Sequence, residues 1–334
     1  MSALTFHALR ELADGRFHSG VDVARALGRS RATLNEALRR APALGVELFS
    51  VRGKGYRLAT PIEFLDPAQI AAALGSDAGR VRVEVVDEID STSTRLVARG
   101  AAGAPSGTCL AAEWQSAGRG RRGRSWASSV GGGLTFSMLW RFERGAGGLA
   151  GLSLAAGAGV ARGLAECGVR DVQVKWPNDL VVHFRKLAGI LVETSGEIQG
   201  PSVAVIGVGV NYRLPESVLD GIDQPVIDVA QCAPTLPSRS RLLGRIAANL
   251  AVVFEGFDAR GFEGFRDEWR SLHAYQGRAV RISAANQPAF DAQVVDVAPD
   301  GALVVATASG PMHLASAEIT LRPTGVAPSG TGSE

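Results

Sequence analysis

Along the first sixty residues, apolar side chains recur at helical spacing. Leu4, Ala8, Leu9 and Leu12 share one face, which predicts a helix with a buried stripe. Ser19, with Asp22 three residues on, reads as a capping pair for a second helix that carries Val21, Ala24 and Leu27 and stops at Gly28. Ser30 caps a third helix running to about Arg40, with Leu34, Ala37 and Leu38 inward. Two short helices joined at Leu27-Gly28-Arg29-Ser30 have helix-turn-helix spacing. Beyond them the period changes to two. Val46–Val51 and Tyr56–Leu58 flank Arg52-Gly53-Lys54-Gly55, which predicts a hairpin with a basic tip, a wing after the helices.

Residues 63–80 hold Pro67, Gly75 and Gly79 around a short apolar segment and read as a linker. From Val81 strands and helices mix. Val81–Val86, Thr108–Trp114, Leu134–Trp140, Val172–Val174, Leu187–Thr194 and Val203–Val210 read as strands, the last apolar on both faces and therefore central. Ser91 and Thr92 open a helix to about Ala98. Leu149–Glu166 predicts a long helix of small residues, and Arg241–Phe257 and Phe262–Trp269 are helical. Hairpin pairing among these strands predicts an α+β domain over 81–272 with a mixed or antiparallel sheet. Residues 276–323 are all strand, with turn chemistry at Pro299-Asp300-Gly301, and predict a small β-barrel. The Gly/Ser/Pro/Thr tail 324–334 reads as disordered.

Composition narrows the class. The chain has 334 residues, 46% of them hydrophobic and 20% charged, enough apolar surface for two or three cores and too much for extended disorder. Three cysteines (Cys109, Cys167, Cys232) lack metal-ligand spacing and fit free thiols in a reducing cytoplasm. No apolar run reaches membrane-spanning length and no secretory leader is visible, so the expectation is a cytoplasmic chain with no membrane segment. A net charge of +2 is too small to make the whole chain a nucleic-acid binder. Locally, residues 1–66 carry ten Lys/Arg against seven Asp/Glu. Arg29, Ser30, Arg31, Thr33, Asn35 and Lys54 are the candidates for phosphate and base contacts; a module used only for protein contacts is the alternative.

Lysine is rare: only Lys54, Lys175 and Lys186 against 32 arginines. A lysine that persists in such a chain is a candidate for a role that needs a compact ammonium. Two of the three fall in unusual segments. Gly118-Arg119-Gly120-Arg121-Arg122-Gly123-Arg124-Ser125-Trp126 matches G-x-G-x-x-G literally but opens no helix, so a dinucleotide site is disfavoured. A mobile loop bringing backbone N–H groups and guanidinium forks to an anion, with Trp126 to stack on a ring, and an Arg/Gly segment binding nucleic acid remain open. Lys175-Trp176-Pro177-Asn178-Asp179 puts a Lys and an Asp four residues apart on a turn, and Lys186 enters the next strand. A hairpin there would bring Lys175 and Lys186 close together. An ordinary strand connection is the plain alternative.

Taken together, Asp90-Ser91-Thr92, the segment Gln115–Trp126, Lys175–Asp179 and Arg185-Lys186-Leu187-Ala188-Gly189-Ile190-Leu191 resemble the biotin–protein ligases. The N-terminal unit makes the chain similar to the bifunctional type that is also the biotin operon repressor. The resemblance implies a winged helix-turn-helix over 1–62, a ligase domain and an SH3-like barrel. It implies activation of biotin by ATP to biotinyl-5′-AMP with Mg²⁺, then transfer to a lysine of biotin carboxyl carrier protein. Carried over by motif, Ser91, Thr92, Ser93, Gln115, Arg119, Gly120, Arg121 and Lys186 would hold biotin. Arg121, Trp126, Lys175, Asn178, Asp179 and Asn211 would serve ATP, Asp179 also the metal, and Lys186, Arg119 and Arg121 would be catalytic. Operator DNA and a homodimer are the further implied partners. Two positions depart from the pattern: Ser93 stands where Asn is common, and Glu36 puts an acid on the recognition helix. The competing readings are a regulator that senses an adenylate without transferring it, and a lipoate-type acyl ligase.

Overall fold

In the computed structural model, which describes residues 2–197, 199–284, 287–315 and 319–323, the first helices form where their caps predict. These are α1 (Ser2–Glu11), α2 (Gly20–Ala26) and α3 (Arg31–Leu38). Ser19 Oγ accepts from the Val21 N–H at 3.3 Å and Ser30 Oγ from the Thr33 N–H at 3.1 Å, meeting donors the helix leaves unpaired. The hairpin β1 (Leu48–Val51) and β2 (Gly55–Leu58) follows. A side chain at Gly55 (φ 98°) would run into the His18 carbonyl, which is why glycine closes this turn. Phe6, Leu9, Leu12, Leu34, Leu38, Leu44 and Leu58 form the core of this unit.

The segment expected as a linker is instead part of the central core. Asp66 caps α4 (Pro67–Leu74), whose Ile70 and Leu74 are buried. Proline at the first helical position and an i, i+4 apolar pair explain the helix. The central region continues with β3 (Arg82–Ile89), α5 (Thr92–Ala101), β4 (Thr108–Gln115), β5 (Gly133–Phe142), α6 (Leu152–Glu166), β6 (Gln173–Lys175), β7 (Asp179–Val182), β8 (Arg185–Gly196) and β9 (Ser202–Asn211). The short α7 (Glu216–Leu219) and α8 (Val229–Cys232), then α9 (Arg239–Arg260) and α10 (Arg266–Leu272), complete it. One seven-stranded mixed sheet runs β3-β4-β5-β9-β8-β7-β6, parallel only between β3 and β4. β9 is its middle strand and largely buried, as its two apolar faces predict. β7, which begins at Asp179, was not foreseen; four residues beside the turn formers Pro177 and Asn178 are too few to show a period.

Helices α6 and α9 cover one face of the sheet. Gly163 lets them meet, since a Cβ there would lie 2.7 Å from Ile246 Cα. On the other face Leu96 of α5 packs against Leu110, Leu139 and Val205, leaving the middle of β8 and β9 open to a different use. The C-terminal strands β10 (Ala279–Ala284), β11 (Gln287–Val297), β12 (Leu303–Thr307), β13 (Gly310–Leu314) and β14 (Ile319–Pro323) form an antiparallel sheet ordered β13-β12-β11-β10-β14. Trp176, fully buried, donates its indole N–H to the Gly301 carbonyl at 3.0 Å and joins this sheet to the central domain. The tail 324–334 lies outside the described residues. Among those described, no helix is long and apolar enough to cross a membrane, and the three cysteines are free.

One buried junction holds the segment that leads into α4, and a second fixes the N-terminal unit. Arg239 and Glu113, both fully buried, form an ion pair at 2.7 Å, and Arg239 also donates to the carbonyls of Glu63 and Gly133. Val130, just before β5, is buried in the core of the N-terminal unit and its N–H donates to the Leu44 carbonyl at 3.0 Å. Arg10–Asp87 and Arg40–Glu88 pair across the same boundary.

Candidate active site

The open part of the sheet is floored by glycine. Gly189 on β8 lies opposite Gly209 on β9, and Gly207 lies opposite both Leu191 and Ser137. A Cβ at Gly209 would stand 2.5 Å from Trp126 Cζ2, one at Gly189 3.0 Å from Trp126 Cζ3, and one at Gly207 2.6 Å from Ser93 Oγ. The missing side chains keep a hollow in which a ring can lie flat on the backbone.

One wall is the first turn of α5. Ser91 caps it, its Oγ accepting from the Thr94 N–H. The Thr92 N–H and hydroxyl both donate to Gln115 Oε1 (2.8 and 3.1 Å). The Ser137 hydroxyl on β5 bonds Thr92 at 2.7 Å and Ser93 at 2.9 Å. Ser91, Thr92, Ser93, Gln115 and Ser137 are all buried, so these polar groups form a network that excludes water. The Ser93 hydroxyl is thus held by Ser137 within this network.

The arginine loop forms the other wall, and it is bonded to itself rather than open. The Trp126 N–H donates to the Gly118 carbonyl (2.8 Å), the Gly120 N–H to Arg124 (2.7 Å) and the Arg124 N–H to Arg121 (3.2 Å). Glycine at 118 permits the first of these, since a Cβ would lie 2.6 Å from the Trp126 carbonyl. Arg122 takes a left-handed conformation (φ 57°) at the tip. Arg121 donates to Asn178 Oδ1 at 3.0 Å; burial, then neighbouring Arg122, lower its pKa, partly offset by Asp179. Arg119 reaches the rim, donating to Thr94 Oγ1 at 3.3 Å and pairing with Glu193 at 2.9 Å.

The far end is cationic. Lys186 Nζ lies 2.9 Å from Asp179 Oδ1 and 5.5 Å from the centroid of the Trp126 ring. Both side chains of that pair are less than one-fifth exposed. Asn178 Nδ2 donates to the Ile190 carbonyl (2.7 Å), tying its turn to β8. Lys175 is in register opposite Asp179. Asn211 Nδ2 donates to the Lys186 carbonyl (3.0 Å) and the Ile227 carbonyl (3.2 Å), so it holds the backbone at Lys186. Two surface hollows of about 490 and 300 Å³, lined by residues such as Arg241 and Arg245 or Arg170 and Cys232, involve none of these groups.

The residues singled out from the sequence therefore converge. Arg121, Trp126, Asn178, Asp179 and Lys186 gather at one end, Ser91, Thr92, Ser93 and Gln115 at the other, with Gly120 and Arg119 in the loop between. The sequence reading missed Gly189, Gly207, Gly209, Ser137, Thr94 and Glu193. A serine inside the apolar run Leu134–Trp140, and glycines two apart in a buried strand, were the available signals. The DNA candidates lie in the N-terminal unit. Arg29, Ser30, Arg31, Thr33, Asn35 and Lys54 are all exposed, although Ser30 and Thr33 also serve the cap of α3 and Asn35 accepts from the Tyr56 hydroxyl. Glu36 on the same helix pairs with Arg39 at 3.1 Å.

The chain is similar to known proteins over most of its length. A family model described as the biotin/lipoate A/B protein ligase family matches residues 85–211. A Salmonella typhimurium protein named bifunctional ligase/repressor BirA is 40% identical over 279 residues, 84% of this chain and 85% of that one. A Mycobacterium tuberculosis biotin–[acetyl-CoA-carboxylase] ligase is 35% identical over 191 residues, 53% of this chain and 65% of that one. Among solved structures, the biotin protein ligase from Aquifex aeolicus in complex with biotin and ATP aligns with a TM-score of 0.61 at 27% identity, covering 73% of this chain and 99% of that one.

Proposed function

The chain belongs to the bifunctional ligase/repressor family of biotin–protein ligases, and we propose the following division of its chemistry among its residues. It is an ATP-dependent, AMP-forming biotin–[acetyl-CoA-carboxylase] ligase. A carboxylate oxygen of biotin attacks the α-phosphorus of ATP, pyrophosphate leaves, and biotinyl-5′-AMP is formed. The ε-amine of a carrier-protein lysine then attacks the anhydride carbonyl; AMP leaves, an amide forms and one proton is released.

Both reactants of the first step are anions, so their approach needs fixed positive charge at the site of reaction. The observation that carries this reading is the convergence of Lys186 and Arg121 with Trp126 over the glycine floor. Lys186 and Arg121 stabilise charge building on the α-phosphate, and Arg119 and Gly120 belong to the loop that closes over biotin. Ser91, Thr92, Ser93 and Gln115, joined by Ser137, bind the polar end of biotin. Trp126 stacks on a ring of the nucleotide, and Lys175, Asn178, Asp179 and Asn211 support that end. The closed loop shields the anhydride from water.

Magnesium enters with the nucleotide. Among the described residues no three or more His, Cys, Asp or Glu side chains gather as a metal cage, and Asp179 is engaged by Lys186. One carboxylate beside a phosphate site suits an ion held mainly by ATP oxygens, and its chemistry would be charge neutralisation on those oxygens.

The N-terminal unit, 1–62, is a winged helix-turn-helix that binds operator DNA through Arg29, Ser30, Arg31, Thr33, Asn35 and Lys54. Residues 81–272, with α4 packed against them, form the ligase domain, and 276–323 an SH3-like barrel. The repressing species is a homodimer, the acceptor is biotin carboxyl carrier protein, and the chain acts in the cytoplasm. ATP–pyrophosphate exchange tests the enzymatic reading: exchange with biotin, and none with lipoate or without an acid, is expected. Exchange with lipoate instead would move the substrate. No exchange from folded protein would leave only the regulator.

A further inference from the structure

Resting on the ligase reading, we infer that Glu193 is a positioning residue of the pocket: it anchors Arg119, and through it the arginine loop, against β8. Glu193 lies on β8 four residues beyond Gly189, so the two share a face of the sheet. Its Oε1 takes Arg119 at 2.9 Å, while its Oε2 is buried without a hydrogen-bond partner among the described residues. The same Arg119 nitrogen donates to Thr94 Oγ1 on the first turn of α5, the turn that carries Thr92 and Ser93. One guanidinium thus ties together three parts of the pocket: the loop, the wall and the floor strand.

That arrangement assigns Arg119 a different task from Arg121. Arg121 is half of the cationic end, beside Asn178 and near Asp179. Arg119 has its charge met by Glu193 at the rim. A carboxylate facing an anion-binding pocket is unfavourable unless a cation covers it. Glu193 therefore serves the pocket only with Arg119 in place. A second guanidinium N–H brought onto that unmatched oxygen would complete the bidentate form in which such pairs are strongest. Loop closure on biotin would use that oxygen, so Glu193 governs how well the loop holds biotin and has little part in the attack on the α-phosphate.

The test is a double-mutant cycle read by biotin-dependent ATP–pyrophosphate exchange. Glu193→Gln is expected to raise the KM for biotin about ten-fold while kcat falls less than about three-fold, in line with loss of a charge-assisted bond at a partly exposed rim. Glu193→Asp should restore part of the KM. Combined with Arg119→Ala, Glu193→Gln should cost less than two-fold more in kcat/KM or recover part of the loss, because the carboxylate then has no partner and only repels. Fully multiplicative effects, or a fall in kcat at unchanged KM, would overturn the anchoring role. Thermal melts of each variant separate it from general destabilisation, which would not yield coupling confined to Arg119. No biotin-dependent exchange in the unsubstituted chain would sink the ligase reading itself, and the role of Glu193 with it.

Discussion

Removing the Lys186 ammonium should cost the adenylation step on two counts that can be separated. Lys186→Ala deletes one donor aimed at the developing charge, typically about 3 kcal/mol in the transition state. It also uncovers Asp179, whose carboxylate is 2.9 Å from Nζ. An unmasked carboxylate at about 5 Å from an anionic reactant, with an effective dielectric of about 20, repels it by roughly 3 kcal/mol. At about 1.4 kcal/mol per decade the sum is a rate loss on the order of 10⁴. Lys186→Ala combined with Asp179→Asn keeps the first loss and removes the second, so at saturating magnesium and ATP the double variant should recover about 10²-fold over the single one. Initial rates of biotin-dependent ATP–pyrophosphate exchange measure both, and far-ultraviolet circular dichroism checks that each variant is folded. A single variant within ten-fold of the parent, or a double variant no faster than the single one, would refute the role of Lys186 as a cation shielded by Asp179.

Three further outcomes follow from the geometry. A Cβ at Gly209 meets the Trp126 ring, so Gly209→Ala should displace the indole and raise the KM for ATP about ten-fold, the scale of one base–aromatic stack; an unchanged KM would separate Trp126 from the nucleotide. Arg239→Met leaves the Glu113 carboxylate buried and unpaired, which should lower urea stability by about 3–5 kcal/mol, with most of it returned when Glu113→Leu is added; equal stability of the parent and the single variant would contradict this. Burial lowers the pKa of His273, stacked on Trp269, to about 4. The unfolded chain, with a His near 6.5, then binds the extra proton first, so this contribution to stability is fully present above about 6.5 and is lost as pH falls toward 4. The unfolding free energy from urea melts should drop by up to about 3 kcal/mol over that window, and His273→Leu should remove that part of the slope; an identical pH profile for the variant would exclude His273 as its source.

What the sequence disclosed and what it withheld divide along physical lines. The caps at Ser19 and Ser30, the Gly55 turn and the doubly apolar β9 are local signals, and each was legible because the residue type alone answers a backbone requirement. The arginine loop, Lys186 and Asp179 stood out through composition, in a chain that otherwise spends its positive charge on arginine. By contrast, α4 read as a linker because Pro67 and Gly75 mark its ends while its packing partners are about 170 residues away in α9. Ser137 and Glu193 were silent for a related reason: a polar residue in a strand gains meaning only from the neighbour across the sheet. Asn211 was expected at the nucleotide, and its amide instead spans two backbone carbonyls. What that side chain touches depends on the fold, which brings the Lys186 and Ile227 backbone to it.

Val130 belongs to the central domain by its place in the chain and to the N-terminal unit by its packing, only four residues beyond Trp126. The protein is consequently a poor candidate for separation into modules. A ligase cut free of residues 1–62 would bare that valine, strand its N–H, and uncover the flank of Trp114 that packs on the same cluster. The excised N-terminal fragment, for its part, would fold around a missing plug. Gene truncation here would remove a piece of each half's interior, and shortened forms would need a new apolar surface or a new neighbour to stay soluble.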